Sequence, residues 1–188
     1  MCKRWETSAL VVEGVMEEIE GLVRALRVGD DAAKTAAAQA LGNLPRDEDD
    51  ADRRRVAIVE AGGIAPLVDL LRDGSADAKE EAARALGNLA WDNAAIRVAI
   101  AEAGAIAPLV ELLRDGSVEA KFWVARALRN LACNNAANKV AIAEAGGIPP
   151  LVELLRDGSA EAKYQAARAR GEVQCNTNAN RGLIVEAG

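Results

Sequence analysis

The sequence predicts an all-α protein, a solenoid of about four repeats with three helices in each. The first observation is that residues 61–75 return almost letter for letter from Ala103 and again from Ala145, at an offset of 42 residues. The second is that glycine, proline and serine recur at fixed places in this unit, where helices end and begin. The third is that alanine and leucine recur at helical spacing after the serine. This period is typical of a rod whose neighbouring units share one core.

The N-terminal segment predicts one long helix, from about Ser8 to Arg27. It lacks the Ala-Gly-Gly break of the later copies, and a single apolar stripe runs through it. An atypical first helix suits the end cap of a solenoid, whose outer face must meet water. The stripe consists of Leu10, Val15, Ile19, Leu22, Val23 and Leu26.

The acidic segment 46–52 follows the first copy. That copy precedes the second by 45 residues rather than 42, and the additional residues lie in this segment. We expect a solvated loop. A calcium site is the alternative, but the segment lacks the glycine and the terminal glutamate of an EF-hand loop.

The copy from residue 94 to residue 133 shows the three helices of one repeat. A short helix covers about 94–103, and Gly104 ends it because glycine tolerates a left-handed backbone. A second helix begins near Pro108, where a missing N–H costs little. Ser117 caps the third and longest helix, which continues to about Ala132.

These boundaries divide the chain into one domain, 1–188, made of an N-terminal cap and four repeat units of which the last is incomplete. The predicted cap is 1–29, and the predicted units are 30–61, 62–103, 104–145 and 146–188.

Bulk properties exclude several classes of function. The net charge of −6 disfavours wholesale binding to nucleic acid, and no apolar stretch is long enough to span a bilayer. The chain contains no histidine, Gly-rich phosphate loop or paired catalytic carboxylates, so we expect no enzyme, no cofactor and no metal. Cys133 and Cys175 occupy equivalent places in consecutive repeats, too far apart for a disulfide. Reduced thiols indicate a cytoplasmic protein, with the nucleus as the alternative.

The sequence resembles the armadillo-repeat family. The resemblance rests on the run Glu-Ala-Gly-(Gly/Ala)-Ile-x-Pro-Leu-Val-(Asp/Glu)-Leu-Leu and on Ala-Arg-Ala-Leu-x-Asn-Leu-Ala, and it covers about Leu22 to Gly188. It implies a right-handed superhelix whose third helices line a concave groove that binds peptides.

Comparing the third helices of the copies separates a buried face from an open one. Small residues and leucine gather on one side, which we expect to be the core. The opposite side varies from copy to copy, and we call it the third-helix stripe. The stripe consists of Glu80, Glu81, Arg84, Gly87, Asn88 and Trp91, then Phe122, Trp123, Arg126, Arg129, Asn130 and Cys133, then Tyr164, Gln165, Arg168, Gly171, Glu172 and Cys175.

Four of the five aromatic residues of the chain lie on this stripe: Trp91, Phe122, Trp123 and Tyr164. Large apolar groups on a polar helix face usually indicate a contact surface. The alternative is structural, with Trp91 covering a repeat junction and Phe122 or Tyr164 packing under the arginine four residues later.

A recurring asparagine occupies the stripe at Asn43, Asn88 and Asn130. An amide offers both a donor and an acceptor to a peptide backbone. In the family that the chain resembles, asparagines at this place hold a peptide main chain; the alternative is that each binds a neighbouring loop. In the last copy Glu172 replaces the asparagine and Arg170 replaces a leucine. These replacements put in doubt a peptide-binding role for this position in the fourth copy.

Arginines replace the tryptophans that the import-receptor branch of the family places four residues before this asparagine. The matching position is a glutamine in the first copy, Gln39, and an arginine in the later copies, at Arg84, Arg126 and Arg168. Guanidinium groups repel a lysine-rich peptide and pair with carboxylates or phosphates. Because Glu80 and Glu81 can neutralise Arg84, we expect free arginines at Arg126 and Arg168.

The sequence therefore predicts a non-enzymatic interaction module that binds an extended, acidic peptide segment along the third-helix groove. The partner is a protein or peptide, not nucleic acid or a membrane. One alternative is a scaffold that forms a homodimer through its open C-terminal end, residues 183–188. Another is a consensus-like array without a natural ligand. The predicted peptide-binding residues are Asn43, Asn88, Asn130, Arg84, Arg126, Arg168, Phe122, Trp123 and Tyr164.

Overall fold

The structure is a computed structural model that describes residues 3–43 and 48–175, and these residues form eleven α-helices and no strand. Within these ranges, no helix combines the length and the apolar character that crossing a membrane requires. The helices are α1 (Lys3–Val28), α2 (Asp31–Gly42), α3 (Glu48–Glu60), α4 (Ile64–Asp73), α5 (Ala76–Leu89), α6 (Ala94–Glu102), α7 (Ile106–Asp115), α8 (Val118–Ala132), α9 (Ala136–Glu144), α10 (Ile148–Asp157) and α11 (Ala160–Gln174).

Helix boundaries follow the predicted chemistry. The hydroxyls of Ser75, Ser117 and Ser159 accept hydrogen bonds from backbone N–H groups in the first turns of α5, α8 and α11. Gly104, which follows α6, has a φ of 79°, a left-handed conformation that favours glycine. The same three-helix unit therefore recurs as α3–α5, α6–α8 and α9–α11.

The third helices stack side by side in the order α2, α5, α8 and α11. Their predicted core side is buried, which confirms the expectation for this face; Ala82, Leu86, Val124 and Leu128 are all fully inaccessible to solvent. Alanine allows close approach of neighbouring helices, and leucine fills the space between them. The opposite side of these helices is left to carry the third-helix stripe.

The N-terminal helix α1 is continuous, as predicted, and begins earlier than expected, at Lys3. Ile19, Val23 and Leu26 of its stripe are buried, and Val15 and Leu22 are partly buried against the same core. Leu10 lies outside the residues whose side chains are described, and 183–188 lie outside the described residues altogether.

The expectation of a solvated loop over 46–52 was wrong for residues 48–52. These residues form the first turns of α3. Carboxylates are favourable there because the N-terminus of a helix carries a partial positive charge. Asp52 also forms an ion pair with Arg55, one turn later on α3.

Basic residues of the first helices join successive repeats, at positions the sequence comparison did not single out. Arg97, only 8% exposed, donates from Nε to the Ala90 carbonyl at 3.0 Å and from Nη1 to the Cys133 carbonyl at 3.2 Å. Lys139, one repeat later, donates to the Cys175 carbonyl at 3.2 Å. These carbonyls lie at the C-terminal ends of third helices, where positive charge is stabilising. The recurrence of a base at an offset of 42 residues was a signal in the sequence.

A second series of arginines binds the glycine turns between the first and second helices of each repeat. Arg27 donates to the Gly62 carbonyl at 3.2 Å, and Arg114 donates to the Gly146 carbonyl at the same distance. Each arginine lies in the last turn of the helix that comes before a third helix. From there its side chain contacts the glycine turn of the following repeat. The scaffold is therefore joined by arginines that do not belong to the third-helix stripe.

Candidate functional site

The aromatic residues of the third-helix stripe differ in how far they reach solvent. Trp91 is 45% exposed and Tyr164 is 56% exposed. Phe122 and Trp123 are partly buried and pack against the core, with their rings edge to face at a centroid distance of 4.8 Å. The predicted open aromatic surface therefore consists of Trp91 and Tyr164, with Trp123 partly exposed between repeats.

Arginines lie over three of these rings, those of Trp123, Trp91 and Tyr164. The guanidinium carbons of Arg84 and Arg126 lie 5.0 Å and 5.3 Å from the ring centroid of Trp123. That of Arg129 lies 5.4 Å from the Trp91 ring. Such cation–π contacts fix the direction of long side chains that would otherwise be mobile. They place three guanidinium groups along one part of the stripe.

Tyr164 and Arg168 pair with each other further along the stripe. The guanidinium lies 5.7 Å from the ring, and Nη1 donates to the tyrosine hydroxyl at 2.9 Å. This hydrogen bond is the main reason that the pKa of Arg168 is raised. The structural alternative considered for Tyr164, packing under the arginine four residues later, is what the structure shows. Phe122 packs against Trp123 rather than under Arg126.

We call the two central asparagine positions the Asn88 rung and the Asn130 rung, each comprising the asparagine and the residue before it. At the Asn88 rung, Nδ2 donates to the carbonyl of Gly42 on the preceding third helix at 2.6 Å. The preceding residue is Gly87, which has no side chain to cover the amide. Asn88 therefore remains partly exposed, with one side-chain N–H and the side-chain Oδ1 outside any hydrogen bond within the described residues.

At the Asn130 rung, the expectation of an amide open to solvent was wrong. Asn130 is only 3% exposed. Its Nδ2 donates to the Gly87 carbonyl at 2.8 Å, and its Oδ1 accepts from Nε and Nη2 of Arg129 at 3.2 Å and 2.9 Å. Arg129 also donates to Oε1 of Gln165 at 3.2 Å. An arginine clasp therefore covers the amide, and the binding role of Asn130 stays a prediction.

The outer asparagine positions are also engaged. Asn43 is exposed, and its Oδ1 accepts a hydrogen bond from Nη2 of Arg84. Glu172, which replaces the asparagine of the last repeat, lies 3.7 Å from Nζ of Lys139. This ion pair joins α9 to α11, so Glu172 stabilises the contact between these two helices.

A cavity of about 300 Å³, which we call the arginine cavity, lies on the stripe. It brings six stripe or asparagine positions together with Gly42 and one arginine of α3, and it leaves Asn130, Phe122, Tyr164 and Arg168 outside. No carboxylate lines it. The lining residues are Gly42, Asn43, Arg55, Arg84, Asn88, Trp91, Trp123 and Arg126.

The charges around the cavity are only partly neutralised. Arg84 forms an ion pair with Glu81 at 3.5 Å, as expected, whereas Glu80 accepts instead from the Ser117 hydroxyl at 3.1 Å. Arg55 pairs with Asp52. Within the described residues, Arg126 has no ion pair. Burial, and then repulsion from Arg129 and Arg84, lowers its pKa.

One buried donor of the cavity arginines lacks a partner within the described residues. Nε of Arg84 is buried and has no hydrogen-bond acceptor within the described residues. An unsatisfied buried donor costs about 1–3 kcal/mol. The site is therefore rich in donors and positive charge, and a ligand that supplies oxygen acceptors and negative charge would be stabilised there.

Sequence comparison did not identify two residues that shape this site. Arg55 lies on α3, outside the third helices, and donates from Nε to the Asn88 carbonyl at 3.2 Å. Arg129 was placed on the stripe, but its contact with Asn130 was not foreseen. For Arg129, the signal in the sequence was that the two earlier copies have glycine, Gly42 and Gly87, at the equivalent position.

The repeat itself decides the family. The Armadillo/beta-catenin-like repeat model matches residues 52–91, 93–133 and 135–169, which together make up more than half of the chain. The chain belongs to this armadillo-repeat family. The predicted all-α solenoid is thereby confirmed, while the exact repeat boundaries stay a prediction. No curated protein matches the chain.

Several solved structures resemble this armadillo chain over most of its length. An engineered protein of the Northeast Structural Genomics Consortium is 35% identical, with a TM-score of 0.81, covering 91% of this chain and 68% of that one. The designed armadillo repeat protein YIII(Dq.V1)4CPAF, in complex with the peptide (KR)4, is 31% identical with a TM-score of 0.82, covering 94% and 74%. A computationally designed armadillo repeat protein for modular peptide recognition is 28% identical with a TM-score of 0.80, covering 100% and 83%.

Proposed function

We propose that this armadillo chain is a non-enzymatic interaction module that binds an extended, acidic segment of a partner protein along the third-helix stripe. Peptide recognition by the similar designed proteins supports a peptide-binding use of the fold. The preference for an acidic ligand is supported by the arginine cavity, because its lining contains three arginines and no carboxylate.

The charge of the stripe argues for a ligand unlike that of the designed protein bound to (KR)4. Arg84, Arg126, Arg129 and Arg168 follow one another along successive third helices. Burial lowers the pKa of Arg126 and of Arg129, and repulsion from neighbouring arginines of the stripe lowers both further. A lysine- and arginine-rich peptide would increase this repulsion, whereas aspartate or glutamate side chains would relieve it. Cytoplasmic location, with the nucleus as the alternative, remains part of the proposal.

The aromatic residues supply the apolar part of the surface. Trp91 and Tyr164 are exposed on the stripe, so a partner side chain that covers them removes apolar area from water. Asn88 keeps donor and acceptor capacity for a peptide backbone. The bound segment would therefore combine acidic side chains near the arginine cavity with an apolar side chain near Trp91 or Tyr164.

Capture of partners from a cell extract, followed by mass spectrometry, tests this proposal. The double variant Trp91→Ala with Arg126→Gln should lose the partners that the unmodified protein retains. The matched control is Val98→Ala with Arg24→Gln, because both of these residues are exposed on helices outside the stripe. Equal recovery by the stripe variant, with its helical content intact, would contradict the proposal.

A further inference from the structure

We propose that the arginine cavity is a phosphate subsite that takes the phosphomonoester of a phosphorylated serine or threonine in the bound segment. The inference rests on the proposed function, because it assigns one side chain of the same ligand. It makes binding dependent on a phosphorylation of the partner, and it assigns the main specificity to Arg126.

The balance of charge favours a dianion over a single carboxylate. Two of the cavity arginines already have one carboxylate each, Arg55 with Asp52 and Arg84 with Glu81. Arg126 and the neighbouring Arg129 have no ion pair within the described residues. Two uncompensated guanidinium groups therefore remain, Arg126 in the lining of the cavity and Arg129 beside it over the Trp91 ring. Their charge matches that of a phosphomonoester, about −1.5 to −2 near neutral pH. A glutamate would leave one of them unmatched.

The hydrogen-bonding groups point to the same ligand. Two acceptors of the lining are already used, since the Gly42 carbonyl accepts from Asn88 and Oδ1 of Asn43 accepts from Arg84, which leaves Oδ1 of Asn88 as the unused side-chain acceptor among the asparagines of the lining. Unused donors remain: the whole guanidinium of Arg126, the buried Nε of Arg84 and the second N–H of Asn88. These donors outnumber the oxygens of one carboxylate, whereas a phosphate presents three strong acceptor oxygens.

The walls and size of the cavity suit a side chain rather than a large ligand. Its volume of about 300 Å³ lies at the lower end for small-molecule sites. The rings of Trp91 and Trp123 form apolar walls beside the arginines, which lower the local dielectric constant and so strengthen charge-assisted hydrogen bonds. The cation–π contact of Arg126 with Trp123 holds the guanidinium in place before the ligand arrives.

Three degenerate peptide pools of equal length, with phosphoserine, glutamate or serine fixed at the centre, provide the test. Retention of each pool by the immobilised protein is measured. We expect the phosphoserine pool to bind about tenfold more tightly than the glutamate pool, since one additional charge-assisted hydrogen bond is worth about a factor of ten. Arg126→Gln should abolish this preference, and Arg126→Lys should retain only part of it because lysine keeps the charge without the planar fork. Arg24→Gln is the control and should behave like the unmodified protein.

A titration with inorganic phosphate, followed by the indole N–H resonances of Trp91 and Trp123, locates the site independently of any peptide. Both resonances should move in the unmodified protein and stay in place in Arg126→Gln. Equal retention of the phosphoserine and glutamate pools would overturn the phosphate subsite and leave the proposed acidic-peptide function standing. Retention of none of the pools would count against the proposed function itself, whatever phosphate alone does.

Discussion

The Asn88 rung and the Asn130 rung occupy the same place in adjacent repeats, yet one is open and the other is closed. Each asparagine donates to a carbonyl of the preceding third helix, Asn88 to Gly42 and Asn130 to Gly87. The difference lies in the preceding residue. Gly87 leaves Asn88 uncovered, whereas Arg129 holds Oδ1 of Asn130 with two donors.

This comparison shows how a repeat scaffold diversifies without changing its core. Gly87 packs so closely on α8 that an added Cβ would lie 3.2 Å from the Cα of Ala127, so a larger residue is disfavoured there. Position 129 accommodates arginine, whose side chain reaches from Asn130 across to Gln165 of the next repeat. One exchange therefore turns an exposed amide into a junction between repeats and confines the open site to the arginine cavity.

The largest expected effect is a loss of ligand binding when an arginine beside the open Asn88 rung is replaced. Arg126→Gln at the edge of the open rung should weaken binding of a captured acidic segment by about 10- to 100-fold, the effect of losing one or two charge-assisted hydrogen bonds. Arg168→Gln should change it less, because Arg168 lies outside the cavity and is engaged with Tyr164. Isothermal titration of both variants checks the order, and a larger loss at Arg168 would move the site away from the open rung.

The next effect concerns stability. Asn130→Ala should lower the free energy of unfolding by about 1–3 kcal/mol, because it leaves the buried Gly87 carbonyl and two partly buried Arg129 donors unpaired. Asn88→Ala should cost less, about 0.5–1.5 kcal/mol, since only one partly exposed hydrogen bond is lost. Urea unfolding of both variants measures the difference, and equal losses would mean that the two rungs are not distinct.

Much of the scaffold could be predicted from the sequence, and the reasons are local. The serine caps, the glycine after each first helix and the alanine–leucine face depend on backbone chemistry and close packing, which repeat comparison displays directly. The acidic segment at 48–52 was misassigned because carboxylates that suit a loop also suit a helix N-terminus. The placement of stripe residues on one face was predictable in the same way.

The state of individual stripe residues could not be predicted, because it depends on partners in other repeats. Whether Asn130 is open depends on the reach of Arg129, and the cavity depends on Arg55 from a different helix. Arg97 and Lys139 bind carbonyls about one repeat away in sequence. Long side chains have many rotamers, so helical position alone does not determine which of these contacts form.

Removing the Arg129 side chain tests whether it closes the Asn130 rung. Arg129→Ala should expose Asn130, cost about 1 kcal/mol of stability through the lost hydrogen bonds to Asn130 and Gln165, and move the side-chain amide resonances of Asn130. Ala is preferred to Gly because glycine would add a helix penalty of its own. Amide resonances that stay unchanged in this variant would show that Arg129 does not cover Asn130 in solution.

The smallest effect concerns Glu80, which lies on the stripe one turn before Arg84. Burial raises its pKa above the ordinary 4.5, with the hydrogen bond from Ser117 opposing the shift. A carboxyl with a raised pKa binds its proton more tightly in the folded state, so stability is lost as the pH rises from 4.5 through the folded pKa. Glu80→Gln should match the unmodified protein at pH 4 and exceed it in urea unfolding at pH 7. A lower stability of the variant at pH 7 would contradict this assignment.

The most direct test of the account is to map where a captured partner segment contacts the protein, by backbone and indole amide resonances. We predict that the shifts cluster at Asn88, Trp91, Trp123 and Arg126, with smaller changes at Tyr164 and Arg168. Shifts concentrated on α4, α7 and α10, with the arginine cavity unchanged, would contradict the claim that the third-helix stripe is the binding surface.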